Sequence, residues 1–154
     1  MRLPIPVLDH VCDLAVRAGD PVVVGPVPTG IRRVIPVVGG TMSGPLLDGL
    51  IVGHGADWQT VRNDGSVVID ARYLLRTTDG ADIEMTDRGF RHGPPDVMKR
   101  LAAGDPVDPS EYTMRTSIRL ETADERYGWV NHTTFVGTGG RLPEGVVVSV
   151  FAVR

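Results

Sequence analysis

Apolar and polar positions alternate along most of this chain, and turn residues separate the alternating runs. In the first run Leu8, His10, Cys12, Leu14 and Val16 fall on one side, and Asp9, Val11, Asp13, Ala15 and Arg17 on the other. That period is the mark of a half-buried strand. Gly19-Asp20-Pro21 turns the chain. Pro21 to Pro28 is apolar but broken by proline, which cannot donate to a ladder, so a loop or an edge segment is expected there. Val34 to Gly44 is expected as a strand kinked at Gly39-Gly40, since paired glycines within a strand mark a bulge or a barrel corner. Asn63-Asp64-Gly65 joins Trp58 to Arg62 with Ser66 to Arg76 as a hairpin. Thr78-Asp79-Gly80 is a second such turn, and Ala81 to Thr86 returns as a strand. Asp87 to Pro95 reads as a loop.

One segment has a helical pattern. Pro94 and Pro95 suit a helix start, Val97, Met98 and Leu101 share one face, and Gly104 suits a left-handed stop. Beyond it, Tyr112 to Glu121 alternates with Met114, Thr116, Ile118 and Leu120 on one face and Arg115, Ser117, Arg119 and Glu121 on the other. Trp129 to Val136 reads as a further strand, Gly137 to Pro143 as a loop, and Val146 to Val153 as a last strand apolar on both faces. A strand of that last kind is covered on both sides, by a core and by a subunit neighbour. The pattern predicts an all-β chain with about eight strands and one short helix. A single antiparallel barrel over residues 1–154 fits, because closure removes exposed sheet edges. At eight strands the interior is filled by side chains or holds one small ligand.

Composition narrows the function. Hydrophobic residues are 42% and charged residues 23%, the balance of a folded domain. A net charge of -3 gives no basic footprint for nucleic acid or anionic lipid. The one cysteine, Cys12, fits a reducing compartment, and no apolar run is long enough to span a membrane, so a cytoplasmic protein is expected. His10, His92 and His132 are scattered without metal-ligand spacing, so no metal site is expected. Phosphate-cradling glycine loops, dinucleotide fingerprints and nucleophile elbows are missing, so no cofactor is expected.

The densest chemistry lies between Gly53 and Tyr73. Asp57 stands beside Trp58, where an apolar wall would raise its pKa and suit it to proton transfer; the alternative is a carboxylate that caps a turn. Arg72 and Tyr73 are neighbours on a strand and must point to opposite faces. Arg72 is the one expected to reach a pocket and hold an oxyanion, with Tyr73 either core or pocket wall. Arg115 and Glu121 share a polar face, which turns inward in a wet barrel and outward in a packed one. Glu121 would pair with Asp57, one as acid and one as base. Trp58 and Trp129 would be plugs or ligand walls.

The run of Gly25-Pro26, Gly30-x-Arg32-Arg33, Gly39-Gly40, Gly55-Ala56-Asp57-Trp58-Gln59, Asp70-Ala71-Arg72-Tyr73, Arg115-Thr116 and Trp129-x-Asn131 resembles the family catalogued as domain of unknown function 3237. The resemblance covers nearly the whole chain. It implies a lipocalin-like barrel, often oligomeric, with no known cofactor. Some fungal relatives in polyketide pathways are associated with ring closure by addition of a hydroxyl to an alkene. The resemblance adds Arg32 and Asn131 as substrate contacts. Two departures stand near the presumed pocket: His54-Gly55 where the family has Gly-Gly, and Tyr112-Thr113-Met114 where it has an aromatic pair. His54 is a solvent-facing loop residue or a substrate contact particular to this chain.

The expected function is a cofactor-independent enzyme acting on a small hydrophobic, natural-product-like molecule by acid/base-assisted cyclisation, isomerisation or intramolecular addition. Asp57, Glu121, Arg72 and Arg115 are the expected catalytic groups, and His54, Trp58, Tyr73, Trp129, Asn131 and Arg32 the expected substrate contacts. The alternative is a barrel that binds a small hydrophobic ligand without turning it over. A homo-oligomer is expected in either case.

Overall fold

The computed structural model describes residues 1–154. Nine strands follow in chain order: β1 (Leu8–Ala18), β2 (Val22–Val27), β3 (Gly30–Ser43), β4 (Gly49–Val61), β5 (Val67–Thr77), β6 (Asp82–His92), β7 (Thr113–Glu121), β8 (Thr134–Leu142) and β9 (Gly145–Val153). Every pairing is antiparallel. The sheet runs β1-β9-β8-β7-β6-β5-β4-β3-β2 and closes because β1 also pairs with β3. The result is a closed eight-stranded barrel with β2 as an added ninth strand.

The long strand β3 makes closure possible. Its second half pairs with β1 from Val37 to Ser43, and its first half pairs with β2 from Gly30 to Val34. The kink expected at Gly39-Gly40 is there: the β3–β4 register slips between Val37 and Gly40. Gly40 has φ +144° and a Cβ on it would lie 2.0 Å from the Ala15 carbonyl oxygen, so only glycine lets β1 approach this closely. The segment read as a loop or edge from Pro21 to Pro28 is the edge strand β2.

The helix α1 (Pro95–Ala103) has the predicted bounds. Val97, Met98 and Leu101 are buried, and Gly104 ends it at φ 83° with its N–H on the Arg100 and Leu101 carbonyls. Three other readings are corrected. The segment from Asp87 to His92 is the second half of β6, not a loop. Gly137 to Leu142 belongs to β8, not to a loop. Trp129 to His132 lies in a 3-10 helix (Glu125–His132), so the last hairpin begins only at Thr134.

The two ends of the barrel differ. At one end the 3-10 helix covers the strands, with buried Val130 and with Trp129 tilted against buried Phe135 at 6.0 Å between ring centres. Leu14, Met42, Leu47, Leu75 and Ile83 are fully buried in this half. At the other end α1 covers only part of the opening. The Gly19-Asp20-Pro21 turn and the Pro143-Glu144 turn frame a mouth beside it.

Candidate functional site

The mouth leads into a lumen of about 350 Å³, within the size range of small-molecule sites. Strand alternation decides what lines it. On β5, Val67, Ile69, Ala71, Tyr73 and Leu75 face inward, and on β6, Ile83, Met85, Asp87 and Arg91 do. The registers then stack the inward residues in layers. Outermost, Val67 sits opposite Arg91, and Arg91 opposite Met114. Below that, Arg33 sits opposite Gln59. Next, Asp57 sits opposite Ala71, and Ala71 opposite Asp87. Deepest, Tyr73 sits opposite Met85, and Met85 opposite Leu120, on the apolar plug. Guanidinium groups thus stand near the mouth, carboxylates at mid-depth, and a phenol beneath them.

Asp57 and Asp87 flank one small residue, Ala71, across three adjacent strands. Their Cα atoms are therefore roughly 10 Å apart, two inter-strand spacings. The two carboxyls live in different surroundings. Asp57 accepts from Gln59 Nε2 at 2.6 Å through Oδ2 and from the Asp70 backbone N–H at 2.9 Å through Oδ1. Gln59 is itself held by Arg33 Nε at 2.9 Å. Burial raises the Asp57 pKa, and these donors together with Arg91 partly offset it. Asp87 is 3% exposed and its Oδ1 has no hydrogen-bond partner. Burial is the main cause that pushes its pKa up to about 7; the Thr116 hydroxyl opposes the rise and the Asp57 charge adds to it. Tyr73 is buried one layer beneath them and, chiefly through that burial, is held protonated well above the usual phenol range.

No group of three or more His, Cys, Asp or Glu side chains is placed to hold a metal ion. The lumen offers proton-transfer groups, hydrogen-bond donors and apolar walls from Val16, Ile35, Val37, Ile69 and Val148. That combination suits acid/base work on a small organic molecule.

The family model described as protein of unknown function (DUF3237) matches residues 6–153. The chain belongs to the DUF3237 family. It is 37% identical over 150 residues to a UPF0311 protein of Bradyrhizobium diazoefficiens, covering 96% of this chain and 98% of that one. The crystal structure of the conserved protein RPA1785 from Rhodopseudomonas palustris superposes with a TM-score of 0.93 at 34% identity, covering 99% of this chain and all of that one. The hydroalkoxylation enzyme phnH of Penicillium herquei is 30% identical over 114 residues, 74% of this chain and 61% of that protein.

In this DUF3237 barrel several residues expected at the site face away from the lumen. Arg72 alternates outward from Tyr73 and pairs with Glu84 at 2.8 Å on the outer wall. Glu121 and Arg115 lie on the outward face of β7; Glu121 pairs with Arg119 at 3.2 Å, and Arg115 bonds the Met114 carbonyl. The expected Asp57–Glu121 pair and the expected oxyanion roles of Arg72 and Arg115 are therefore corrected: strand parity points all three side chains to solvent. Trp58 is 49% exposed and shares an outer depression with His54, Arg72 and Glu84. Trp129 lies at the plugged end against Phe135. Asn131 bonds the Thr122 backbone N–H and carbonyl there, both at 2.9 Å, and Arg32 points outward to the Thr60 hydroxyl at 3.1 Å. None of His54, Trp58, Trp129, Asn131 or Arg32 touches the lumen; Asp57 and Tyr73 do.

The residues that sequence reasoning missed are Asp87, Arg91, Arg33, Gln59 and Arg141. Gln59 had a signal, since it stands two residues from Asp57 on one strand and so shares its face. Arg33 likewise faces Gln59 across the β3–β4 pair. Asp87 and Arg91 continue the inward parity of Ile83 and Met85.

Proposed function

We propose that this protein is a cofactor-independent enzyme that moves protons on a small, largely apolar molecule held in the lumen, driving cyclisation, isomerisation or intramolecular addition. The carboxylate pair flanking Ala71 carries this reading. Two carboxyls in unequal surroundings divide the work of acid and base. Asp87, with its pKa near 7, supplies a proton. Asp57, held by the Gln59 and Asp70 donors, accepts one. The chemistry in the name of the Penicillium herquei relative supports the reading. In a hydroalkoxylation, a hydroxyl oxygen bonds one alkene carbon and a proton reaches the other. Asp57 takes the hydroxyl proton and Asp87 delivers one to carbon, so the product is an isomer of the substrate and no oxidant is consumed.

The test is a panel of prenylated phenols and hydroxy-alkenes incubated with the protein in D₂O. Products of unchanged skeleton mass that carry one carbon-bound deuterium are expected. Asp87→Asn and Asp57→Asn should each slow conversion by about 10²-fold or more. Full turnover in both variants, on a substrate that the wild type converts, would end this mechanism. Saturable binding without product over hours would favour the carrier reading.

A further inference from the structure

Three guanidinium groups face the upper lumen: Arg33, Arg91 and Arg141. Two of them have protein partners. Arg33 Nε donates to Gln59, and Arg141 Nη1 donates to the Leu101 carbonyl in the last turn of α1. Arg91 differs. It is 5% exposed, its Nε has no hydrogen-bond partner, and it takes part in none of the ion pairs of the molecule. Burying a cation this way is costly unless something pairs with it. Burial pushes its pKa down to about 10, and repulsion from Arg141 and Arg33 adds to the fall.

No carboxylate of the chain completes this cluster. Asp57 has its oxygens on Gln59 and the Asp70 backbone. Asp87 lies two layers deeper, four residues along β6, or about 13 Å at Cα. Asp20 and Glu144 stand on the exposed rim of the mouth. The upper lumen therefore holds three guanidinium charges with no carboxylate seated on any of them, and Arg91 is the one whose Nε also lacks an acceptor.

Resting on the lumen as the substrate site, we propose that the ligand carries a permanent carboxylate. It seats in the Arg91 guanidinium fork at the mouth, and its apolar body runs down past Ile69 toward Asp57, Asp87 and Tyr73. A planar fork with a free Nε matches a carboxylate through two parallel hydrogen bonds. Arg91 is the one fork without an acceptor, so it offers a single carboxylate seat, and the rim acids Asp20 and Glu144 disfavour a dianion such as a phosphate ester. The anion belongs to the bound molecule from the start and is not a charge that arises only during reaction.

The test is calorimetric titration of the intact protein with 2-naphthoate, its methyl ester, 2-naphthylmethanol and 2-naphthyl phosphate. The acid should bind about tenfold or more tightly than the ester and the alcohol, the value of a charge-assisted hydrogen-bonded pair. Arg91→Gln should weaken the acid by at least about tenfold and leave the ester within about twofold. Arg91→Lys, which keeps the charge but loses the fork, should fall between. Acid and ester binding alike, no acid binding at millimolar concentration, unchanged acid affinity in Arg91→Gln, or tighter binding of the phosphate ester would each overturn the proposal. The readout is affinity without turnover. Acid binding with full turnover in the Asp57 and Asp87 variants would leave this inference standing and remove the mechanism; proton transfer without carboxylate selectivity would do the reverse.

Discussion

Asp87 links the site to the stability of the fold. Its carboxyl keeps a proton up to about pH 7 when folded and releases it near 4 when unfolded. Between those values the folded state binds more protons than the unfolded one, so stability is full below about pH 4 and falls as pH rises toward 7. A shift of about three units sets the loss at no more than about 4 kcal/mol. Asp57 is shifted in the same direction. Asp13, Asp64, Asp79, Asp82, Asp108, Glu111 and Asp124 are shifted the other way by their hydrogen-bond partners, so what they contribute is lost only in more acid solution. The urea midpoint of the wild type should therefore drop between pH 5 and pH 8. Asp87→Asn should flatten that slope and raise the midpoint at pH 8; a wild-type midpoint that climbs over this range would contradict the assignment. The opposed directions of Arg72 and Tyr73 are legible in the sequence, because adjacent strand residues cannot share a face. Which of the two faces lines the lumen is not, since a wet interior accepts charge as readily as solvent does.

Among the elements, β4 is the least regular. Its register against β5 slips twice, between Ile51 and Gly53 and between Gly53 and Ala56. His54 sits in this bulge with φ 54°, the one non-glycine residue of the chain at positive φ. The two slips add two residues in all, an even number, so Ile51 and Asp57 keep the same inward face on either side of the bulge. His54→Gly should stabilise the protein by about 1 kcal/mol, because glycine occupies that backbone region without strain. Gly55→Ala should cost about 3 kcal/mol, since its Cβ would lie 1.8 Å from the Arg72 carbonyl oxygen. Thermal denaturation of both variants checks the pair, and similar midpoints would sink the account. Elements with an apolar inner face, such as β5, β7 and α1, were readable from pattern. In β1 a register slip between His10 and Cys12 buries Val11, expected on the other face, and leaves Leu8 and His10 exposed. The second half of β6 was not readable, because its inner face carries Asp87 and Arg91 and its outer face carries Phe90. Most of β8 was hidden by its glycines: a Cβ at Gly140 would lie 2.9 Å from Pro109 and one at Gly137 2.5 Å from the Thr116 hydroxyl. Close packing demanded the residue type that usually signals a loop.

At the scale of the whole molecule, stability and chemistry occupy opposite ends of one barrel. Phe135 is fully buried in the plugged half, so Phe135→Ala should cost about 4 kcal/mol. Arg91→Gln, which removes an unpaired buried cation from the open half, should be neutral or stabilising. Urea unfolding of the two variants side by side measures the contrast, and an Arg91→Gln loss as large as that of Phe135→Ala would refute it.

The chain has two tryptophans, and neither borders the lumen. Trp58 looks out through the barrel wall, and Trp129 rests on the far side of the plug. Intrinsic indole emission is thus a gauge of the wall and the floor. It should shift on unfolding yet stay constant while the cavity fills, so a fluorescence screen that finds no quenching would miss genuine ligands of this barrel.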